Sequence, residues 1–413
     1  MTRLTTTHFF FQYLIFSSSA VFTQFWNVTP PINSNDTLYA GWPQIKVSAE
    51  IEIYNGVAHN HNRTYAHHPQ LYARGNRHVY LIHSSAAVDE DSMGQNIWFS
   101  QSHDGGFTWT PSVPILPPAL LKNQTQEGNF SYFCNEGIQQ RALQADALIE
   151  HEGLLYAIAQ TTDFWCAGDA GSGNHAAGRI VRPLHFNGSL AGDPCWIVKN
   201  NWTDYVRYNK TVYGTKYGMR HCEKARELSD LLAKPEYVPP WSDFEYNQAV
   251  YAADNNHSMQ EVTHAVWLEH PGVWQRFWRD VSPMNNSMAV WVEYSRTGRD
   301  WYSHIEREYG NQIFETNIPD AKTKQFLLDL RDLKLLFSNP RANTELVRQP
   351  LTIVSSRGWT YEKVGVLRTN ASTRIAPDTR DYKNRGFSYP AAVGVGKWWW
   401  RIVRIRRMFG LVL

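Results

Sequence analysis

The chain has 413 residues, of which 14% are aromatic, with 17 Trp and 21 Tyr. That length suffices for one large all-β domain or two ordinary ones, and the aromatic load suits strands and sugar-binding surfaces. The formal net charge is +2, but Lys397, Arg401, Arg404, Arg406 and Arg407 crowd the last 17 residues; the remainder is net acidic, which excludes a basic face for nucleic acid.

The N-terminus predicts a secretory signal over residues 1–20. Arg3 is followed by an apolar run from Phe9 to Phe16 and by the small residues Ser18-Ser19-Ala20. The run is too short to span a bilayer, so stable membrane insertion is not expected. Eleven Asn-x-Ser/Thr sequons, from Asn27 to Asn370, point to the same extracellular route. The four cysteines are Cys134, Cys166, Cys195 and Cys222. Two disulfides suit an oxidising compartment, and all three pairings are open. None of the four has metal-ligand spacing, so neither a metal nor another cofactor is expected. Nothing in the sequence sets an oligomeric state.

Helical signals are weak, apart from a charged stretch over 223–234. A hairpin unit recurs instead: an apolar strand, a short polar turn, then a second apolar or aromatic strand. It appears at Pro69–Tyr72 with Val79–Ile82, at Ala145–Ile149 with Leu154–Ile158, and at His264–Leu268 with Val273–Trp278. Gln325–Leu328 with Leu333–Phe337 is a fourth case, and Tyr389–Val393 begins a fifth. Third strands follow at Asn96–Ser102, Ser287–Ser295 and Leu351–Ser356. A repeated four-strand unit predicts a β-propeller. Six blades are expected over residues 21–396, one of them within the long interval from Thr161 to His257. The last blade looks incomplete, because the sequence after Gly396 turns into a Trp- and Arg-rich tail, 397–413. That tail reads either as a cationic amphipathic segment or as an aberrant gene end.

The turn after the first third strand is Ser102-His103-Asp104-Gly105-Gly106-Phe107-Thr108-Trp109. Ser295–Trp301 and Ser355–Tyr361 are degenerate copies at equivalent positions. With Ser102, Asp104, Gly106 and Trp109 in place, the turn resembles the Asp box (BNR repeat) of sialidases and sialidase-like propellers. The resemblance covers roughly residues 48–396. It implies an all-β propeller of sialidase type and a structural role for those four residues. It departs from true sialidases at one point. Their Arg-Ile-Pro motif, which carries the first of three carboxylate-binding arginines, is missing; Arg374-Ile375-Ala376-Pro377 is a near-match at the wrong end of the chain.

Propeller geometry narrows the search for chemistry to one axial face. The inner strands start there, and the loops between second and third strands return there. The first slots hold His67-His68, Gln140-Arg141, Glu261 with His264, Asn317 with Asp320, and Tyr389. The second slots hold Glu90-Asp91 with Gln95, Arg279-Asp280 with Asn285, and Asn339 with Arg341. From these, His68, Asp91, Glu261 and Tyr389 form the expected catalytic set. His67, Glu90, Gln95, Arg141, His264, Arg279 and Arg341 are the expected substrate contacts.

The resemblance implies an exo-glycosidase acting on terminal acidic sugars of a glycan or polysaccharide. Tyr389, polarised by Glu261, would attack the anomeric carbon, and Asp91 would be the acid/base. Two alternatives stay open. A uronate lyase would use Arg141 or Arg341 on the carboxylate, with His68 and Tyr389 moving the proton. A carbohydrate-binding propeller would have aromatic platforms without a working acid and base.

Overall fold

The computed structural model describes residues 25–28, 42–46, 49–56, 63, 65–87, 95–116, 140–164, 175–199, 222–237, 250–252, 256–270, 272–282, 288–299, 301, 313–330, 333–340, 348–368, 389–395, 399–404 and 408–412. The expected signal at 1–20 lies outside them, as do Cys134 and Cys166.

The chain builds antiparallel sheets in sequence order. Strand β1 (Ala49–Tyr54) comes first. The first complete blade is β2 (Tyr65–Arg74), β3 (His78–Ala86), β4 (Asn96–Ser102) and β5 (Val113–Leu116). The second is β6 (Gln140–His151), β7 (Leu154–Phe164), β8 (His175–Leu184) and β9 (Cys195–Lys199). A helix, α1 (Ala225–Leu232), follows within the stretch that looked helical, and it packs Leu228 and Leu232 against the outer part of that blade. The Cys195–Cys222 disulfide ties its N-terminal approach to β9.

The third sheet has six strands: β10 (Val250–Tyr251), β11 (Ser258–Gln260), β12 (Val266–Leu268), β13 (Val273–Asp280), β14 (Ala289–Ser295) and β15 (Phe314–Pro319). The fourth is β16 (Phe326–Leu330), β17 (Leu333–Ser338), β18 (Leu351–Ser356) and β19 (Lys363–Arg368). The last consists of β20 (Ala391–Val395), β21 (Trp399–Arg404), β22 (Met408–Val412) and β1.

Two expectations need correction. Among the described residues there are four regular four-stranded blades and one six-stranded sheet, not six four-stranded blades. In the six-stranded sheet the inner edge is split: β11 and β12 pair with opposite ends of β13, and the break between them falls at Glu261. The other correction concerns the end of the chain. The last blade is not short of strands, because the tail supplies β21 and β22, and β1 fills the outermost place beside β22. The two ends of the chain thus pair with each other and satisfy backbone groups that an open last sheet would leave bare.

The inner strands gather round one axis. Strand β2 packs beside β6 and β20, while β16 packs beside β20 and β12. Residues from all five inner strands line an axial cavity of about 250 Å³. Between blades the side chains interdigitate. Tyr80, Ile82, Phe99, Leu143, Leu155 and Ile180 form one such core between the first and second blades. Another core, between the third and fourth sheets, includes Phe277, Val292, Leu336 and Val354; Phe25 and Trp42 seal it from the N-terminal side. Asn317 Oδ1 accepts the Phe25 and Trp26 N–H groups at 2.7 and 2.9 Å, so this side chain anchors the N-terminal segment. Gly75 and Gly153 sit at hairpin turns with φ of +64° and +78° and open space around them, so glycine is needed there for conformation rather than for room.

The Ser102–Trp109 turn joins β4 to β5. Asp104 Oδ1 accepts the N–H groups of Phe107 and Thr108, both at 2.9 Å, and Oδ2 accepts the Thr108 hydroxyl at 2.6 Å. Ser102 Oγ donates to Asp104 at 2.8 Å and accepts Gly106 N–H at 2.7 Å. Trp109 Nε1 donates to the Gly106 carbonyl at 3.0 Å and packs beside the Tyr54 and Trp98 cluster. Burial works against the charge on Asp104, but the hydrogen bonds from Thr108, Ser102 and Phe107 outweigh it and bring the carboxyl down to about 2. Asp104→Ala is therefore expected to lower the unfolding free energy by about 1–2 kcal/mol at pH 7, given the exposure of the turn. Because the folded carboxyl titrates below the unfolded one, the gap from wild type should shrink as pH falls from about 4 toward 2. Urea unfolding at several pH values checks both.

Candidate active site

Four non-glycine residues at the inner-strand entries share one unusual backbone conformation. His68, Glu261, Lys322 and Tyr389 have φ of 51°, 57°, 55° and 52°. Each belongs to a different sheet: His68 lies in β2, Glu261 between β11 and β12, Lys322 before β16, and Tyr389 before β20. A left-handed conformation costs a side-chain-bearing residue about 1–2 kcal/mol. Four repetitions at one place in the fold need a compensating set of contacts, and the contacts are there.

Glu261 and Tyr389 meet at the centre. Tyr389 Oη donates to Glu261 Oε1 at 2.5 Å, and both residues are buried. Arg279, near the end of β13, donates from Nη1 to Glu261 Oε2 at 2.6 Å and to Tyr389 Oη at 3.2 Å. Its Nε donates to the Lys322 carbonyl at 2.8 Å. Arg348, just before β18, is also buried, and its guanidinium lies 5.6 Å from the centre of the Tyr389 ring. The two histidines complete the cluster. The His67 ring lies 3.9 Å from that of Tyr389 and 3.7 Å from that of His68, and His68 Nδ1 is 3.2 Å from Ser84 Oγ.

The electrostatics place the proton on the tyrosine. Burial would raise the Glu261 carboxyl, but the charges of Arg279 and Lys324 and the hydrogen bonds from Tyr389 and Arg279 outweigh it and hold the group below its ordinary value. Burial, followed by the Glu261 charge, pushes the Tyr389 phenol above its ordinary value. Burial pulls the Arg348 guanidinium below its usual range. The result is a neutral phenol hydrogen-bonded to a carboxylate, with cations on both sides. Such a pair can deliver a phenolic oxygen to an electrophile while the carboxylate takes the proton.

The other expected site residues are placed as follows. Glu90, Asp91 and Arg341 lie outside the described residues, and Arg141 is described only as part of β6. Gln95 Nε2 donates to the Leu143 carbonyl at 2.9 Å, which ties the first blade to the second. His264 is half-buried, with its ring edge-on to Phe326 at 5.8 Å, and it lines both the axial cavity and a small pocket beside Tyr389. That pocket, of about 30 Å³, is also lined by His68, Gln70, Lys324 and Gln325. Arg276 faces the other way from Arg279, as strand alternation requires, and forms a buried ion pair with Glu293 at 2.7 Å.

Arg348 and Lys324 are the site residues that sequence reasoning missed. Arg348 belongs to the loop already singled out through Asn339 and Arg341, so the slot was right and the choice among its arginines was not determined. Lys324 adjoins the inner strand β16, but an isolated lysine carries no motif. One cluster among the described residues has the composition for a metal ion: His151 and Glu152 at the β6–β7 turn, with Glu227 of α1. Lys224 already pairs with Glu152 there. Among the described residues no helix is long and apolar enough to cross a membrane.

No protein-family model and no curated protein sequence matches the chain. Solved structures do. A protein described as a sialidase superposes with a TM-score of 0.62 at 17% identity, over 94% of this chain and 34% of its own. A Hadza microbial sialidase matches at 0.49 and 14%, over 87% of this chain and 67% of its own. A Trypanosoma rangeli sialidase in complex with sialic acid matches at 0.46 and 10%, over 90% and 59%. The first of these matches shows the fold, a β-propeller of sialidase type. The chain spans about a third of the length of the sialidase it matches at the highest of these scores.

Asp320 offers a test of how dry this face is. Its carboxylate accepts the Thr323 N–H at 2.6 Å, yet burial outweighs that and the other hydrogen bonds and pushes the group up to about 7. A folded value above the unfolded one gives a stabilising contribution that is full below about pH 4 and is lost as pH rises through 7. Thermal melts from pH 4 to 8 should therefore show Asp320→Asn losing less stability across that window than wild type.

Proposed function

We propose that the protein is a secreted glycoside hydrolase that removes a terminal acidic sugar from glycans or polysaccharides, with Tyr389 as nucleophile and Glu261 as its base. The observation that supports this reading is the 2.5 Å hydrogen bond from Tyr389 to Glu261, flanked by the half-buried Arg279 and the buried Arg348. In the first step Tyr389 Oη bonds to the anomeric carbon and Glu261 takes the phenolic proton. The glycosidic C–O bond breaks, and the leaving oxygen takes a proton from a general acid, the role that the resemblance gives to Asp91. In the second step water attacks the same carbon and gives its proton to Asp91. The tyrosyl C–O bond breaks, and the phenol recovers its proton from Glu261.

An acidic sugar suits these groups. A neutral phenol approaches a carboxylate-bearing carbon without the like-charge repulsion that a carboxylate nucleophile would meet. The two arginines supply cations beside it, and a guanidinium can hold a carboxylate by two parallel hydrogen bonds. Export is part of the proposal. It is supported by the signal-like N-terminus, the sequons and the Cys195–Cys222 disulfide, a bond that persists in oxidising compartments.

The test is product analysis on a panel that includes a fluorogenic α-sialoside and uronate-containing polysaccharides. A free saturated sugar is the expected product. An ultraviolet-absorbing unsaturated product would mean a lyase, and no product on the full panel would mean a binding module. Tyr389→Phe and Glu261→Gln should each lower kcat by about 100-fold or more, the lower range for loss of a positioned acid–base or nucleophilic partner.

A further inference from the structure

Behind the Tyr389–Glu261 pair lies a buried cation that the proposed reaction does not use. Lys324 is 7% exposed. An ammonium ion is taken out of water only where specific partners replace its hydration. Its Nζ donates to the Glu261 carbonyl and to the Val262 carbonyl, both at 2.8 Å. These two carbonyls belong to the left-handed kink that carries the Glu261 side chain.

The same short stretch also grips Arg279. Asp320 Oδ1 accepts the Thr323 N–H at 2.6 Å and closes the turn. Lys322 stands in the left-handed conformation within it, and its carbonyl receives Arg279 Nε at 2.8 Å. Lys322 itself is secured by its Nζ, which donates to the Ser282 carbonyl at 3.0 Å and pairs with Asp280 at 3.4 Å. Residues 320–324 of one sheet therefore hold both groups of the neighbouring sheet that touch Tyr389 Oη.

We propose that Lys324 is a positioning residue of this centre: its ammonium clamps the backbone kink at Glu261 and so sets the carboxylate against Tyr389. The proposal rests on the reading of Tyr389 and Glu261 as the reacting pair. Its electrostatic consequence has a definite sign. The charged and titratable groups acting on Glu261 are Arg279 from β13, Lys324 from the turn before β16, Tyr389 from the entry to β20 and, more weakly, Arg348 from the approach to β18. Arg348 and the two histidines of β2 face Tyr389 from its other sides. Burial alone would raise the Glu261 carboxyl; Arg279 and Lys324 oppose it. Removing the Lys324 charge leaves burial less opposed, so the carboxyl must titrate at higher pH.

The experiment compares wild type, Lys324→Met, Lys324→Gln and Lys324→Arg. Protein labelled with ¹³C at the glutamate carboxyls is titrated by NMR, and Glu261→Gln assigns the Glu261 signal. Lys324→Met and Lys324→Gln should raise the Glu261 midpoint by about one pH unit or more, the usual size of losing a nearby opposite charge. Lys324→Arg should leave it near wild type. On the fluorogenic α-sialoside the acidic limb of kcat/KM should move up by the same amount in the uncharged variants. Their kcat at pH 5 should fall about tenfold, with KM changed by less than about threefold. An unchanged Glu261 midpoint in a folded, uncharged variant overturns the proposal. So does equal damage in Lys324→Arg and Lys324→Met without any movement of the limb. Should Lys324→Met fail to fold, Lys324→Gln carries the same comparison. The titration needs no substrate. Wild type inactive on the sugar panel would thus remove the proposed activity, while the Glu261 midpoints would still decide the role of Lys324.

Discussion

A tyrosine hydroxyl oxygen held 2.5 Å from a buried carboxylate makes demands on everything around it. A carboxylate at that depth would take up a proton unless cations faced it, and a phenol beside it would have no acceptor. Arg279 and Lys324 meet the first demand, and the deprotonated Glu261 meets the needs of Tyr389. None of these residues is close to another in sequence except by way of the ring. Glu261 and Tyr389 are 128 positions apart, brought together because the third and last sheets both point their inner strands at one axis.

The backbone takes part in this. A regular strand alternates its side chains between two faces and cannot aim a chosen one along the propeller axis. The left-handed residues at four inner-strand entries break that alternation where the strand enters the ring. In β2 the break shows as a register shift between His67 and Gln70, and in the third sheet as the gap between β11 and β12. The conformational cost falls on His68, Glu261, Lys322 and Tyr389, and the contacts across blades offset it. Geometry and charge at the centre are therefore one problem: the lysine that steadies the kink at Glu261 also keeps that carboxylate ionised.

Much of this was legible in the chain. Apolar alternation interrupted by Gly75, Gly153 and Gly272 gave hairpins whose strands run where the periodicity put them, because period-two patterning and turn conformation are local properties. Placing the polar residues of inner-strand entries on one face then singled out Glu261, Tyr389, Arg279, His67 and His68, which the structure brings into one cluster. Gln95 came from the same slots but is hydrogen-bonded between blades. A polar side chain at an axial position can serve either purpose, and only the neighbouring blade decides which.

The sequence by itself determined the strands, their turns and the class of sheet they build, since each rests on residues within a few positions of one another. It did not determine how many sheets close the ring. Closure depends on β1 pairing with β22 from the opposite end of the chain, and the Trp- and Arg-rich composition of the tail concealed its strands. Nor did it determine which cations serve the centre. Arg348 and Lys324 carry no motif, and their roles follow from burial and from partners that lie on other sheets. The electrostatics of a buried carboxylate depend on every charge that surrounds it in space, and only the tertiary structure decides which charges those are.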